Sequence, residues 1–266
     1  MLISNYGHKK VSDYLRKDKP SKVCLVFWHG LGDLIMFASL FNQLKTMFPR
    51  IKIDIALQGG VGQEKLIKNA LLITSPNKHI DGYDYTFQIH FPMCEQFSGA
   101  ITKAELCCRE ELGIDPISYY PRIKNIKKVL VACHFQATAV PGPVNVDEEI
   151  AKCIWDEVIE AGFIPIETLF KHRYYNPVNE KFGFIDRDVR GIPPSIPKLV
   201  SLLQSCFASI CVASANLPLS LSIMPERTLY LQKEFVVGSY TKDSIATIDI
   251  NEYIEGSVKK WLSNIR

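Results

Sequence analysis

The chemistry-bearing residues of this chain gather in one short stretch, Gly30-Leu31-Gly32-Asp33, with His29 just before it. Two glycines let a backbone turn sharply and approach a ligand closely. The acid that follows falls in the first turn of the next element. On the local sequence alone, an N-cap or first-turn acid on a favourable dipole accounts for Asp33. Before the turn lies an apolar, strand-like run at 23–28. After it Leu34, Phe37, Leu40, Phe41, Leu44, Met47 and Phe48 recur at helical spacing. Strand, glycine turn and helix together place backbone N–H groups and one side chain at the carboxyl edge of a parallel sheet. Open α/β folds bind ligands at that edge.

The elements that must carry this turn alternate along the chain. Residues 51–57 and 84–91 read as strands, and 64–72 and 102–112 as helices, the latter stopped by Gly113. His90 stands at the carboxyl end of 84–91. A basic seam at 122–127 ends the first set, and the pattern restarts with a strand at 129–135. Helix 146–161, strand 163–170 and a short strand at 182–185 follow. Then come helix 196–206, strand 208–213, a turn at 214–218 with a short helix, strand 228–231 and a closing helix at 253–265. The lead-in, 1–21, holds one helix around 11–17. Such alternation predicts an α/β chain of two doubly wound, Rossmann-like lobes, 1–125 and 126–266, facing across a cleft.

Composition sets outer bounds. The 266 residues are 47% hydrophobic and 22% charged, with a net charge of +3. That balance suits an ordinary globular chain and singles out no nucleic-acid partner. Eight cysteines are scattered without C-x-x-C spacing, so reduced thiols in a cytoplasmic setting are expected. No run of about 18 apolar residues offers a membrane span. Asp186-Arg187-Asp188 has the spacing of a metal site but reads as a solvated turn.

With these residues in hand the chain resembles GT-B glycosyltransferases, and within them the heptosyltransferase family, glycosyltransferase family nine. The likeness runs through Gly32-Asp33 with its helix ending at Phe48-Pro49, and through helix 102–114 ending in Leu-Gly. It resumes at His134-Phe135-Gln136-Ala137-Thr138, similar to the family's His-x-Gly-Ala-Ser/Thr phosphate loop. It ends at 197–222, where the family has a Leu-rich helix, a strand and Asp-Ser-Gly-Pro-x-His-Leu-Ala. Pro218 and Leu221 match that last motif. Ala215, Asn216, Leu217 and Ser220 depart from it, and the lysine expected after the phosphate loop is absent.

The resemblance implies a transferase that moves a sugar from a nucleotide-diphosphate donor to an acceptor hydroxyl. It implies inversion, no metal or other cofactor, and Asp33 as general base. His29, Gly30, Gly32 and His90 then lie on the acceptor side, with a saccharide or glycolipid acceptor. A satisfied structural role suits His29 equally well. His134, Gln136, Thr138, Ser214 and Asn216 fall on the donor side, with Asn216 a helix cap. Lys171 or Arg173 is expected to replace the missing lysine, although a solvent-facing charge cluster is the alternative. Two rival readings remain. One is a viral-type enzyme glycosylating hydroxymethylated bases in DNA, its backbone tracked by Arg122, Lys124, Lys127 and Lys128. The other is a non-catalytic relic that binds a nucleotide or partner.

Overall fold

The computed structural model describes residues 1–4, 10–58, 67, 69–90, 102–115, 129–137, 145–169, 182–191, 193, 195–233 and 245–266. The chain divides into two compact units, whose described parts run over 1–115 and 129–266. The expected seam at 122–127 lies outside the described residues.

The first unit is built on five parallel strands in the order β1-β5-β2-β3-β4. These are β1 (Leu2–Ser4), β2 (Lys22–Phe27), β3 (Lys52–Leu57), β4 (Leu71–Leu72) and β5 (Tyr85–Gln88). Central β2 pairs Leu25 with Ile55 on one side and with Phe87 on the other. Its residues from Val23 to Phe27 are all buried, the continuous apolar run of a strand covered on both faces. Helix α1 (Val11–Lys17) precedes β2, and α2 (Leu31–Met47) follows it. Leu34, Phe37, Leu40 and Leu44 are fully buried on α2, and Phe37 stacks on Phe27 at 4.6 Å. Helix α3 (Lys103–Leu106) continues as one π-helical segment, Cys107–Leu112, and closes at Gly113 with φ +67°.

The second unit holds six parallel strands in the order β11-β10-β9-β6-β7-β8. They are β6 (Leu130–His134), β7 (Ile164–Thr168), β8 (Arg190–Gly191), β9 (Ala208–Cys211), β10 (Thr228–Gln232) and β11 (Ala246–Asp249). Helices α4 (Glu148–Glu160), α5 (Ile196–Gln204), α6 (Asn216–Ile223) and α7 (Ser257–Ile265) complete it. One core joins Val131, Cys133, Ile154, Val158, Ile210 and Leu229. The closing helix α7 adds Val258 and Leu262 to that core. The buried Glu157 carboxylate of α4 holds it there. Glu157 accepts from Gly256 N at 2.8 Å and Lys259 N at 2.9 Å, which caps the start of α7, and from Tyr253 OH.

Some expectations need correction. Residues 71–72 are not helical: they pair with Ala56 and Leu57 as β4. Residues 182–185 form a turn, with Ile185 N donating to Phe182 O, and the strand of that region is β8. Strands β1 and β11 extend the two sheets where none was expected. Asp186 and Asp188 are exposed in a turn, Asp188 N donating to Asp186 Oδ1 at 3.2 Å. Among the described residues the seven cysteines are free thiols, and no helix is long and apolar enough to cross a membrane.

Candidate active site

In each sheet the strand order reverses about one central strand. From β2 the chain runs outward to β3 and β4, then returns to the other side of β2 as β5. From β6 it runs to β7 and β8, then returns as β9, β10 and β11. The crevice at the carboxyl ends of the two strands flanking such a reversal is where doubly wound sheets bind ligands. In the first unit β2 and β5 run into His29 and His90. In the second, β6 ends in His134, and Ser214 and Asn216 follow β9.

At the first crevice the rings of His29 and His90 meet edge-on, 5.7 Å apart, and His29 stacks on Trp28 at 5.0 Å. Burial, with His90 and Lys103 nearby, pushes the His29 imidazole down to about 4, so it is neutral at pH 7. Gly30 and Gly32 stand at the turn from β2 into α2. Gly30 is the N-cap of α2 with φ −62°, and Gly32 lies inside the helix, so neither needs a left-handed backbone. Among the described residues nothing stands within 4 Å of where a Gly30 side chain would begin, which leaves the backbone approachable. Asp33 is the third residue of α2, and its carboxylate caps nothing in its own helix. Its Oδ1 instead meets Lys103 Nζ at 3.3 Å. Burial raises the Asp33 carboxyl above its ordinary value, and Lys103 pulls it back down.

Two participants were missed in the sequence. Lys103 is the first residue of α3. A reciprocal cap fixes it, with Glu105 N donating to Thr102 Oγ1 and Thr102 N to Glu105 Oε2, both at 3.1 Å. The Thr-x-x-Glu spacing was a legible signal for that cap. Glu111, on the π segment, accepts from His90 N at 3.4 Å. Burial pushes its carboxyl up to about 7. Together His29, Asp33, His90, Lys103 and Glu111 make one cluster that can accept a proton and hold a hydroxyl.

At the second crevice His134 is buried, and its Nδ1 bonds to Thr168 O. A carbonyl only accepts, so Nδ1 carries the hydrogen and Nε2 is the acceptor. Burial pushes this imidazole down to about 4, so the ring is neutral at pH 7. It therefore suits a hydroxyl donor rather than a phosphate oxygen. Asn216 is the first residue of α6, not its cap. The residue before it, Ala215, has no capping group, while Asn216 N donates to Ser214 Oγ at 3.2 Å. The Asn216 Nδ2 donates to Thr168 Oγ1 at 2.9 Å, and Ser220 Oγ donates to Ser209 Oγ at 2.8 Å. Two of the residues that depart from the family motif, Asn216 and Ser220, are thus packed into buried hydrogen bonds. Gln136 is half-buried in the loop after β6, and the next residue, Ala137, donates its N–H to Asn145 Oδ1 at 2.7 Å. Lys233, just past β10, reaches Asn145 O at 3.4 Å and Asp147 Oδ2 at 3.8 Å. That places a cation at this edge, which the sequence signals only as a lysine ending an apolar run. Thr138, Lys171 and Arg173 lie outside the described residues.

Two parallel sheets, each with polar side chains at its point of reversal, define a doubly wound α/β protein. Among solved structures the fold is that of the heptosyltransferases and of glycosyltransferase family nine. The ADP-heptose LPS heptosyltransferase II of Escherichia coli matches with a TM-score of 0.63 at 11% identity, over 92% of this chain and 98% of that one. A family-nine glycosyltransferase from Veillonella parvula matches at 0.58 and 12% identity, over 92% of each chain. The iron-containing dodecameric glycosyltransferase TibC of enterotoxigenic E. coli matches at 0.55 and 12% identity, over 79% of this chain. This chain spans 58% of the length of TibC. No family model matches the sequence, and no curated protein matches it.

Proposed function

We propose that this protein is a glycosyltransferase that moves a sugar from a nucleotide-diphosphate donor to an acceptor hydroxyl with inversion, without need of a metal. The observation that carries the reading is Asp33, held by Lys103 beside the approachable backbone of Gly30, where β2 and β5 flank the strand-order reversal. In the reaction the acceptor oxygen forms a new bond to the anomeric carbon and gives its proton to the Asp33 carboxylate. The bond from that carbon to the diphosphate breaks, and its electron pair leaves on the diphosphate oxygen. His29 and His90 are the acceptor-side partners, and their edge-on pairing suits a saccharide hydroxyl.

The second unit is read as the donor side. His134 Nε2 suits a sugar or ribose hydroxyl, and Lys233 with nearby backbone N–H groups suits the growing charge on the leaving diphosphate. Of the fold neighbours, the heptosyltransferase II of E. coli is named for ADP-heptose, so an ADP-linked sugar heads the donors to test. The free thiols support a reducing, cytoplasmic compartment. The DNA-modifying alternative drew on Arg122, Lys124, Lys127 and Lys128, which lie outside the described residues.

A thermal-shift screen of nucleotides and nucleotide sugars identifies the donor, because a ligand of the folded state raises Tm by mass action. Asp33→Asn then abolishes transfer, by at least about a hundredfold for loss of a general base, while donor affinity stays within about twofold of wild type. Turnover that survives Asp33→Asn removes Asp33 as the base. A flat screen over all donors supports the non-catalytic reading instead.

A further inference from the structure

We propose that Lys103 is a positioning residue for Asp33, its ammonium orienting the carboxylate and balancing its charge in a half-buried site. The inference rests on the reading of Asp33 as the base. The geometry comes from the helix that carries Lys103. Side chains four apart on an α-helix drift by about 40° per step. The wider winding of the π segment, with its i→i+5 bonds, offsets that drift. Lys103, Cys107 and Glu111 therefore stay on one side of a single helix. The contacts agree: Lys103 Nζ lies 3.3 Å from Asp33 Oδ1, Cys107 feels the charges of Asp33 and Glu111, and Glu111 receives His90 N. The lysine side chain is only 6% exposed and that of Asp33 19%. Solvent screening, which makes surface pairs weak, is accordingly reduced.

The other titratable groups at this place do not substitute for Lys103. His29 is neutral at pH 7, and burial keeps the Cys107 thiol protonated. Glu111 adds negative charge when it ionises. His90 touches His29 edge-on. Among the described residues Lys103 is the cation at the carboxylate. A base must be ionised to take a proton, and burial opposes that ionisation. Removing the lysine charge leaves burial acting alone.

The test is a pH titration of the Asp33 side-chain carboxyl by carbon-13 NMR, its resonance assigned by its loss in Asp33→Asn. Lys103→Met keeps the stem and removes the charge. Lys103→Gln removes the charge while keeping a hydrogen-bond donor, and stands in should the first variant not fold. Lys103→Arg restores the charge. The Asp33 midpoint moves to higher pH in the Met and Gln variants and returns towards wild type in Arg. With a donor identified, kcat/KM of the Met and Gln variants at neutral pH falls by about tenfold or more and recovers as the pH is raised. A purely structural lysine would lower activity equally at every pH. An Asp33 midpoint unchanged in both uncharged variants overturns the inference, whatever the activity. A midpoint that moves in a protein that transfers no sugar upholds the pairing and overturns the transferase reading instead.

Discussion

The hydroxyl of Thr168 is the hinge of the second crevice. It accepts from Asn216 Nδ2 at 2.9 Å and donates to Cys133 O at 3.4 Å, while the carbonyl of the same residue takes the His134 hydrogen. All of these groups are buried, so each bond replaces one that water would otherwise make. Removing the amide leaves a buried hydroxyl short of its donor. Asn216→Leu should therefore cost about 1–3 kcal/mol, seen as a lower urea midpoint of the second unit. A loss below about 0.5 kcal/mol, the range of an ordinary surface change, would mean that Thr168 finds another partner. At this scale the sequence was informative where a residue type had one use. His29, His90 and His134 stood out as side chains at the ends of apolar runs, and Asp33 as the acid that follows the glycine turn. Lys103 and Glu111 did not, because lysines and glutamates on a helix are read as solvent-facing by default. Only the packing of their helix, which brings Lys103 to Asp33 and Glu111 to His90, turns them towards the site.

Secondary elements divide by length in the same way. Residues 23–28 and the stripe from Leu34 to Phe48 give enough periods to be recognised, and β2 and α2 match them. Strands β4 and β8 have two residues each and β1 has three, too short to show alternation. Strand β11 alternates between half-buried and exposed, so it has no apolar run to announce it. All four lie at sheet edges, where short strands are common. The end of the π segment was legible through Gly113. Its φ of +67° is a left-handed turn, and an added Cβ would stand 2.5 Å from Ser12 Oγ and 2.7 Å from Lys10 Cβ. Ser12 Oγ also donates to Gly113 O at 2.8 Å, which ties α1 to this corner. Gly113→Ala combines the left-handed penalty with a clash and should destabilise the first unit by about 2 kcal/mol. Urea unfolding followed through Trp28 measures it. A midpoint equal to wild type would show that α1 can move aside freely. Because Lys103 sits on the same helix, this variant should also weaken its hold on Asp33.

Across the whole chain the two units carry different arrangements of buried titratable groups. In the second, His134 is held down to about 4 against an ordinary 6.5. Between those values the unfolded imidazole binds a proton that the folded one does not. Unfolding thus takes up a proton, stability rises with pH, and acidification through this window removes about 1.4 kcal/mol per pH unit. In the first unit His29 has the same sign, being held down to about 4. Glu111 opposes it, because its carboxyl is raised from 4.5 to about 7. From 4.5 to 7 the folded carboxyl binds a proton that the unfolded one does not, so its contribution falls as pH rises. Asp33, also raised, acts in the same direction as Glu111. The histidine and carboxyl effects largely cancel in the first unit and stand uncancelled in the second, among the described residues. Lowering the pH from 7.5 to 5 should therefore lower the urea midpoint of the second unit more than that of the first. The three tryptophans allow the comparison, since Trp28 lies in the first unit and Trp155 and Trp261 in the second. Trp28→Phe leaves emission from the second unit alone, and a Trp155→Phe, Trp261→Phe variant leaves that of the first. His134→Gln should flatten the acid dependence of the second unit. Equal losses in both units, or a second unit as acid-sensitive with Gln as with His, would place its sensitivity elsewhere than at the crevice between β6 and β9.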